Sequence, residues 1–146
     1  MKIKKFEMMP FKFNEDIAIA DVAVEVWANT IEELFCDSAL ALSEVMVDTK
    51  TVEPRIEKEI NLSSNSLDML LYDFLSEIVY FKDAQSLLFS KFEVKIDNLS
   101  LNAKLWGEEI NREKHALRID VKAVTLYRFD LRNENGIWRA EFVLDI

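Results

Sequence analysis

The sequence predicts an α+β fold: a mainly antiparallel sheet packed with two helices, in the order β-α-β-α-β-β-β-β. Three features carry this prediction. Two stretches repeat apolar residues at i, i+3 and i+4, the spacing of one helix face. The rest alternates apolar and polar residues at period two, the spacing of a half-buried strand. Asn135-Gly136 separates two such alternating runs, as a tight hairpin turn requires. The length of 146 residues, half of them hydrophobic, suits one domain with a real core. With 2 Gly and 2 Pro, the chain is too apolar and too regular to be disordered. The expectation is therefore a single domain over 1–146, with residues 1–13 as an N-terminal extension and Met8 or Met9 as alternative starts.

The elements follow in order. Asp16 to Trp27 reads as a strand, with Ala18, Ala20, Val22, Val24 and Val26 on one face and Ile17, Ile19, Asp21, Ala23 and Glu25 on the other. Thr30-Ile31-Glu32-Glu33 is a capping box, in which the hydroxyl takes the third helical amide. The helix it opens carries Ile31, Leu34, Phe35, Leu42, Val45 and Met46 on one stripe. Asp48 to Pro54 is a connection, and Arg55 to Leu62 is a short strand alternating on Ile56, Ile60 and Leu62. The second helix runs through Leu67, Leu70, Leu71, Phe74, Leu75, Ile78 and Val79, with Asp68, Asp73 and Glu77 opposite. Leu88, Phe92, Val94 and Ile96 then alternate, Asp97-Asn98 is a turn, and Leu99, Leu101, Ala103 and Leu105 complete a hairpin. Ile119 to Leu131 is predicted as one long strand and Ile137 to Ile146 as the last.

Composition excludes several classes of function. Against 27 Asp and Glu stand 18 Lys and Arg, a formal net charge of -9. Affinity for a nucleic-acid backbone comes from cations that neutralise phosphates, so strong direct RNA or DNA binding is not expected. Neither is an anionic membrane surface. A cation or a basic protein surface remains a fitting partner. The one cysteine, Cys36, has no disulfide partner within the chain and reads as a small buried hydrophobe in the first helix. Two glycines cannot build a glycine-rich phosphate loop. No signal-peptide pattern follows Met1, and no apolar run approaches the ~18 residues of a membrane span, so a cytoplasmic protein is expected. The single histidine, His115, stands in the charged stretch Asn111-Arg112-Glu113-Lys114-His115 and reads as part of a surface loop.

Three residues break their local pattern. Asp21 interrupts a strand of small and branched apolar residues: either the strand bends and the carboxylate meets water, or a rigid frame holds it for a hard cation. Asp145, next to the terminal Ile146, follows Val143-Leu144; two acids at one strand end repel unless a cation or base neutralises them. Lys122 sits among apolar neighbours in Val121-Lys122-Ala123-Val124-Thr125, as a solvent-facing strand lysine or as a cation aimed at the acids or at a phosphate. Trp106-Gly107-Glu108-Glu109 reads as a strand end with an acidic tip. No general acid–base pair and no nucleophile with an evident base is present at recognisable spacing.

Six ordered pieces resemble one family. They are Ala20-Asp21-Val22-Ala23-Val24, the helix from Thr30-Ile31-Glu32-Glu33-Leu34-Phe35 to Val45-Met46-Val47-Asp48, Leu70-Leu71-Tyr72-Asp73-Phe74-Leu75, Phe92-Glu93-Val94, the run Gly107-Glu108 to Lys114-His115 to Val121-Lys122-Ala123-Val124-Thr125, and the end Leu144-Asp145-Ile146. In this order and spacing they resemble archease, over about Ala18 to Ile146. The chain differs from the family pattern at Ala18, Ile19, Ala23 and Leu126-Tyr127, all near the same predicted tip.

The resemblance implies an accessory protein, not an enzyme. Archeases activate the RtcB-type tRNA-splicing RNA ligase, promoting its guanylylation by GTP and its multiple turnover. The resemblance also implies a divalent cation, calcium, held by Asp21, Asp145 and the terminal carboxylate or carbonyl of Ile146, with Lys122 as a further functional residue. Two other classes stay open: a chaperone-like or metal-binding interaction module with a different partner, and a metal-dependent hydrolase using Asp21, Glu108 and Asp145.

Overall fold

The computed structural model describes residues 6–11 and 21–146. Two antiparallel sheets hold two helices between them. The first sheet has the order β1-β2-β7-β6 and the second β3-β5-β4. The strands are β1 (Phe6–Phe11), β2 (Asp21–Ala28), β3 (Ile56–Ser63), β4 (Leu87–Asp97), β5 (Ser100–Glu109), β6 (Ala123–Glu134) and β7 (Ile137–Asp145). The helices are α1 (Ile31–Met46) and α2 (Leu67–Gln85).

From β2 onward the order matches the expectation. The addition is β1, which pairs with β2 in the segment expected to be an extension. Its sequence hides the strand: Pro10 lacks an amide hydrogen and marks a non-strand unless the strand lies at a sheet edge, where β1 does lie. The predicted strand residues 16–20, with Ala18 and Ile19, fall outside the described residues.

Local chemistry explains the boundaries. Thr30 caps α1, its Oγ1 accepting from the Glu33 amide at 3.1 Å. The 19-residue α2 runs a turn and a half beyond the predicted apolar stripe, burying Phe81 and Lys82, and stops where Ser86 turns left-handed at φ 54°. The β4–β5 turn places Asn98 at φ 55°, and Asn135-Gly136 closes the β6–β7 hairpin with φ of 54° and 86°. Both residues of the latter dipeptide are positive, as a type I′ turn demands.

Each helix touches both sheets. α1 packs on β2, β7 and β4; α2 packs on β6, β3, β4 and β5. Phe35 and Phe74 stack across the helix pair at 5.9 Å, and Phe81 meets Phe89 edge-on at 5.6 Å. Phe142 of β7 and the leucines Leu34, Leu42, Leu70, Leu71 and Leu75 complete a closed core.

Two expectations are corrected. Residues 119–122 are not strand: β6 begins at Ala123. The Arg118 and Ile119 amides bond instead to the Met46 and Val45 carbonyls at 2.8 and 3.1 Å. They satisfy the last carbonyls of α1, which have no partner within the helix. Alternation of Ile119 and Val121 imitates a strand, yet only Val121 is buried. Lys122 therefore precedes the strand instead of sitting within it, and it is exposed. His115, expected on a surface loop, is buried with its ring fully covered.

Candidate functional site

The centre of the four-stranded sheet brings two of the anomalous residues together. β2 and β7 pair antiparallel with Asp21 directly opposite Asp145, and β6 pairs with β7 so that Ala123 faces Asp145 from the other side. Lys122, one residue before Ala123, donates its amide hydrogen to the Asp145 carbonyl at 2.8 Å. Asp21, Asp145 and Lys122 thus meet at one end of three adjacent strands. Ile146 follows immediately and packs against the core. The strand end at Asp145 is paired on both sides and is not frayed.

Asp21 does not meet water. It is 1% exposed, and neither carboxylate oxygen has a hydrogen-bond partner among the described residues. Burial lifts its proton affinity above the usual carboxylate range, and the neighbouring Asp145 lifts it further. The Ile146 backbone amide approaches the carboxylate and lowers it in part, but lies outside hydrogen-bond geometry from either oxygen. An orphaned buried carboxylate beside a second acid suits a hard cation with oxygen ligands. Among the described residues, no cluster of three or more Asp, Glu, His or Cys side chains is placed to hold a metal.

Glu108 is not part of this site. It lies on β5, in the other sheet, with Oε1 3.0 Å from His115 Nε2 and 2.7 Å from the Glu53 amide, and Oε2 2.7 Å from Lys114 Nζ. These donors hold its carboxyl well below the usual range, at about 2, Lys114 contributing most. His115 Nδ1 accepts from the Asn111 amide at 3.0 Å, which leaves Nε2 to carry the hydrogen toward Glu108. This histidine–carboxylate unit was missed because charged neighbours on both sides made His115 look solvated. The signal was there in part: Glu108 and Lys114 flank a turn, six residues apart. The hydrolase trio Asp21, Glu108 and Asp145 is not assembled, since Glu108 is engaged elsewhere.

Buried Lys82 forms a second charged feature. Its ammonium bonds Asp83 at 2.8 Å and Asp120 at 2.5 Å, tying α2 to the irregular segment that leads to Lys122. No helix among the described residues is long and apolar enough to cross a membrane.

Comparison with known proteins covers nearly the whole chain. The model of the archease protein family matches residues 11–146. A protein archease of Sulfurisphaera tokodaii is 36% identical over 141 residues, spanning 95% of this chain and 100% of the relative. One of Methanothermobacter thermautotrophicus is 40% identical over 131 residues, spanning 87% and 93%. The solution structure of Methanobacterium thermoautotrophicum protein 1598 superposes with a TM-score of 0.81 at 36% identity, covering 99% of this chain and 100% of that one. A Thermotoga maritima crystal structure, described as an archease and possible chaperone, shares the fold at a TM-score of 0.59 and 15% identity, covering 85% and 89%.

Proposed function

This chain belongs to the archease family, and on that premise we propose that it is a non-catalytic cytoplasmic accessory protein that activates an RtcB-type tRNA-splicing RNA ligase, promoting GTP-dependent guanylylation of the ligase and multiple turnover. The observation that carries this reading is the Asp21 carboxylate, buried opposite Asp145 with both oxygens unbonded. Leaving such a group unpaired costs free energy, so its presence supports a site that is completed by something outside the chain.

Asp21, Asp145 and the Ile146 carboxylate or carbonyl would hold a divalent cation, calcium in this proposal. Calcium takes roughly six to eight oxygens, so most of its positions would fall to water or to the partner. When bound, it would supply concentrated positive charge for phosphate oxygens. The chain's own residues do the rest. The β2–β7–β6 ladder fixes the two acids in register. Lys122 adds a cationic side chain at the same strand end, positioned by the hydrogen bond that its backbone amide donates to the Asp145 carbonyl. The net charge of -9 suits a basic cleft on a protein better than RNA itself.

The test is RNA ligation by the cognate ligase with GTP, at limiting ligase, with and without this protein. Wild type is expected to raise the number of turnovers, and Asp21→Ala and Asp145→Ala are expected to lose that effect. Full stimulation by both variants sinks the role of the acids. No stimulation by wild type, with suppressed aggregation of unrelated proteins, replaces the reading with a general chaperone.

A further inference from the structure

The outer strand of the first sheet carries an irregularity that the acidic site does not explain. In β6, Thr125 faces Val143 and Asp130 faces Glu141, so residues 126–129 stand against Phe142 alone. Arg128 lies within this bulge at φ 54°, a left-handed conformation that a side chain with a Cβ adopts at a cost. The bulge changes which residues point inward. Continued alternation from buried Val124 would turn Leu126 to the core. Instead Leu126 is 58% exposed and Tyr127 41%. Phe129 takes the inward place, edge-on to Tyr72 of α2 at 5.6 Å and 6.4 Å from the Phe142 ring. The Arg128 guanidinium stands over the Tyr127 ring at 5.6 Å. The bulge is thus anchored from beneath by Phe129 while it lifts a leucine and a tyrosine outward.

Bulges on edge strands commonly re-aim side chains beside functional sites. An edge strand that displays apolar side chains invites unwanted association unless that surface is used. Its position says by what. Ala123, opposite Asp145, lies three residues before Leu126. At about 3.3 Å per residue, Leu126 sits about 10 Å along the strand from the acid pair. A protein that covered the strand end at Asp145 would reach the bulge in the same contact, and the chain's net charge of -9 suits a basic protein surface there.

We propose that the β6 bulge is a docking knuckle, which seats Leu126 and Tyr127 in an apolar socket of a protein partner whose rim is basic. This rests on the reading of the chain as a ligase accessory, and it names the surface that holds the ligase. Binding of purified RtcB-type ligase to wild type, Leu126→Ser, Tyr127→Ser and Asp21→Asn is measured by titration calorimetry. Ile56→Ser, an exposed apolar residue of the other sheet, is the control. Each variant's melting temperature is recorded, so that lost folding is distinguished from lost contact. The expected result is at least tenfold weaker binding for Leu126→Ser and Tyr127→Ser, with melting unchanged and the control unaffected. Wild-type binding that neither knuckle variant weakens overturns the knuckle and leaves the proposed function standing. No ligase binding by wild type overturns both. Self-association of wild type that Leu126→Ser abolishes overturns the partner assignment in favour of a second copy of the chain.

Discussion

Replacing Asp21 with asparagine should stabilise the protein when no divalent cation is present. The side chain is buried, both oxygens lack partners, and Asp145 lies directly across the ladder. Asparagine keeps the shape and removes the charge. A buried group without its hydrogen bonds costs about 1–3 kcal/mol, and more when charged. Relief of about 1–2 kcal/mol is the expected gain at neutral pH in a chelator, or about 3–6 °C in melting temperature for a chain of this size. The pH dependence has a definite sign. The folded Asp21 holds its proton to higher pH than the unfolded one, whose ordinary value is 3.8. Wild type therefore loses stability as pH rises through 3.8 toward the raised folded value, and Asp21→Asn removes that loss. Calcium should reverse the ranking: at a hundredfold excess over its dissociation constant, a bound cation adds about 2.7 kcal/mol to wild type and none to the variant. Differential scanning calorimetry with chelator and with calcium, from acid to neutral pH, reads all three effects. Equal melting temperatures of wild type and Asp21→Asn in chelator, across that range, refute the description of Asp21 as an uncompensated buried acid.

Other outcomes follow from the remaining buried contacts. Glu108→Ala strips the covered His115 ring of its carboxylate and should cost about 2 kcal/mol in urea unfolding. Because the folded Glu108 carboxyl is held at about 2 against an ordinary 4.5, its stabilisation is present above pH 4.5 and is lost as pH falls from there toward 2; acid unfolding of Glu108→Gln should lack this component. Lys82→Met should change stability by less than about 1 kcal/mol, since its aspartates are solvent-accessible, whereas Asp83→Asn with Asp120→Asn strands the ammonium of a side chain that is 8% exposed and should cost about 3 kcal/mol, both read by thermal melting. Gly107→Ala would put a Cβ 1.8 Å from the Leu88 carbonyl oxygen in the paired strand; the β4–β5 ladder must shift, with a loss of about 3 kcal/mol or more in denaturant unfolding.

The legible part of the fold is the part written in short-range pattern. The stripe from Leu67 to Val79 is α2, the Thr30 cap starts α1, and Asn135-Gly136 turns the last hairpin. Asp21, Asp145 and Lys122 stood out because each breaks the pattern around it. The misreadings share a cause. Ile119 and Val121 alternate like strand residues, but their segment spends its amides on the open end of α1. His115 sits among charges in sequence and under Glu108 in space. The strand predicted over Ile119 to Leu131 is also interrupted, by a bulge three residues longer than its partner strand requires, which turns Leu126 outward.

By itself, then, the sequence determined where the chain is helical, where it is extended, where it turns, and which acids lack a local reason. Periodicity and turn chemistry act over a few residues, and they are read directly. The tertiary structure alone decided that β2 lies beside β7 in a register that sets Asp21 against Asp145, 124 positions apart, with both oxygens of Asp21 left unpaired. Pairing between distant strands is selected by how the whole core closes around the two helices, and no window of sequence contains that choice.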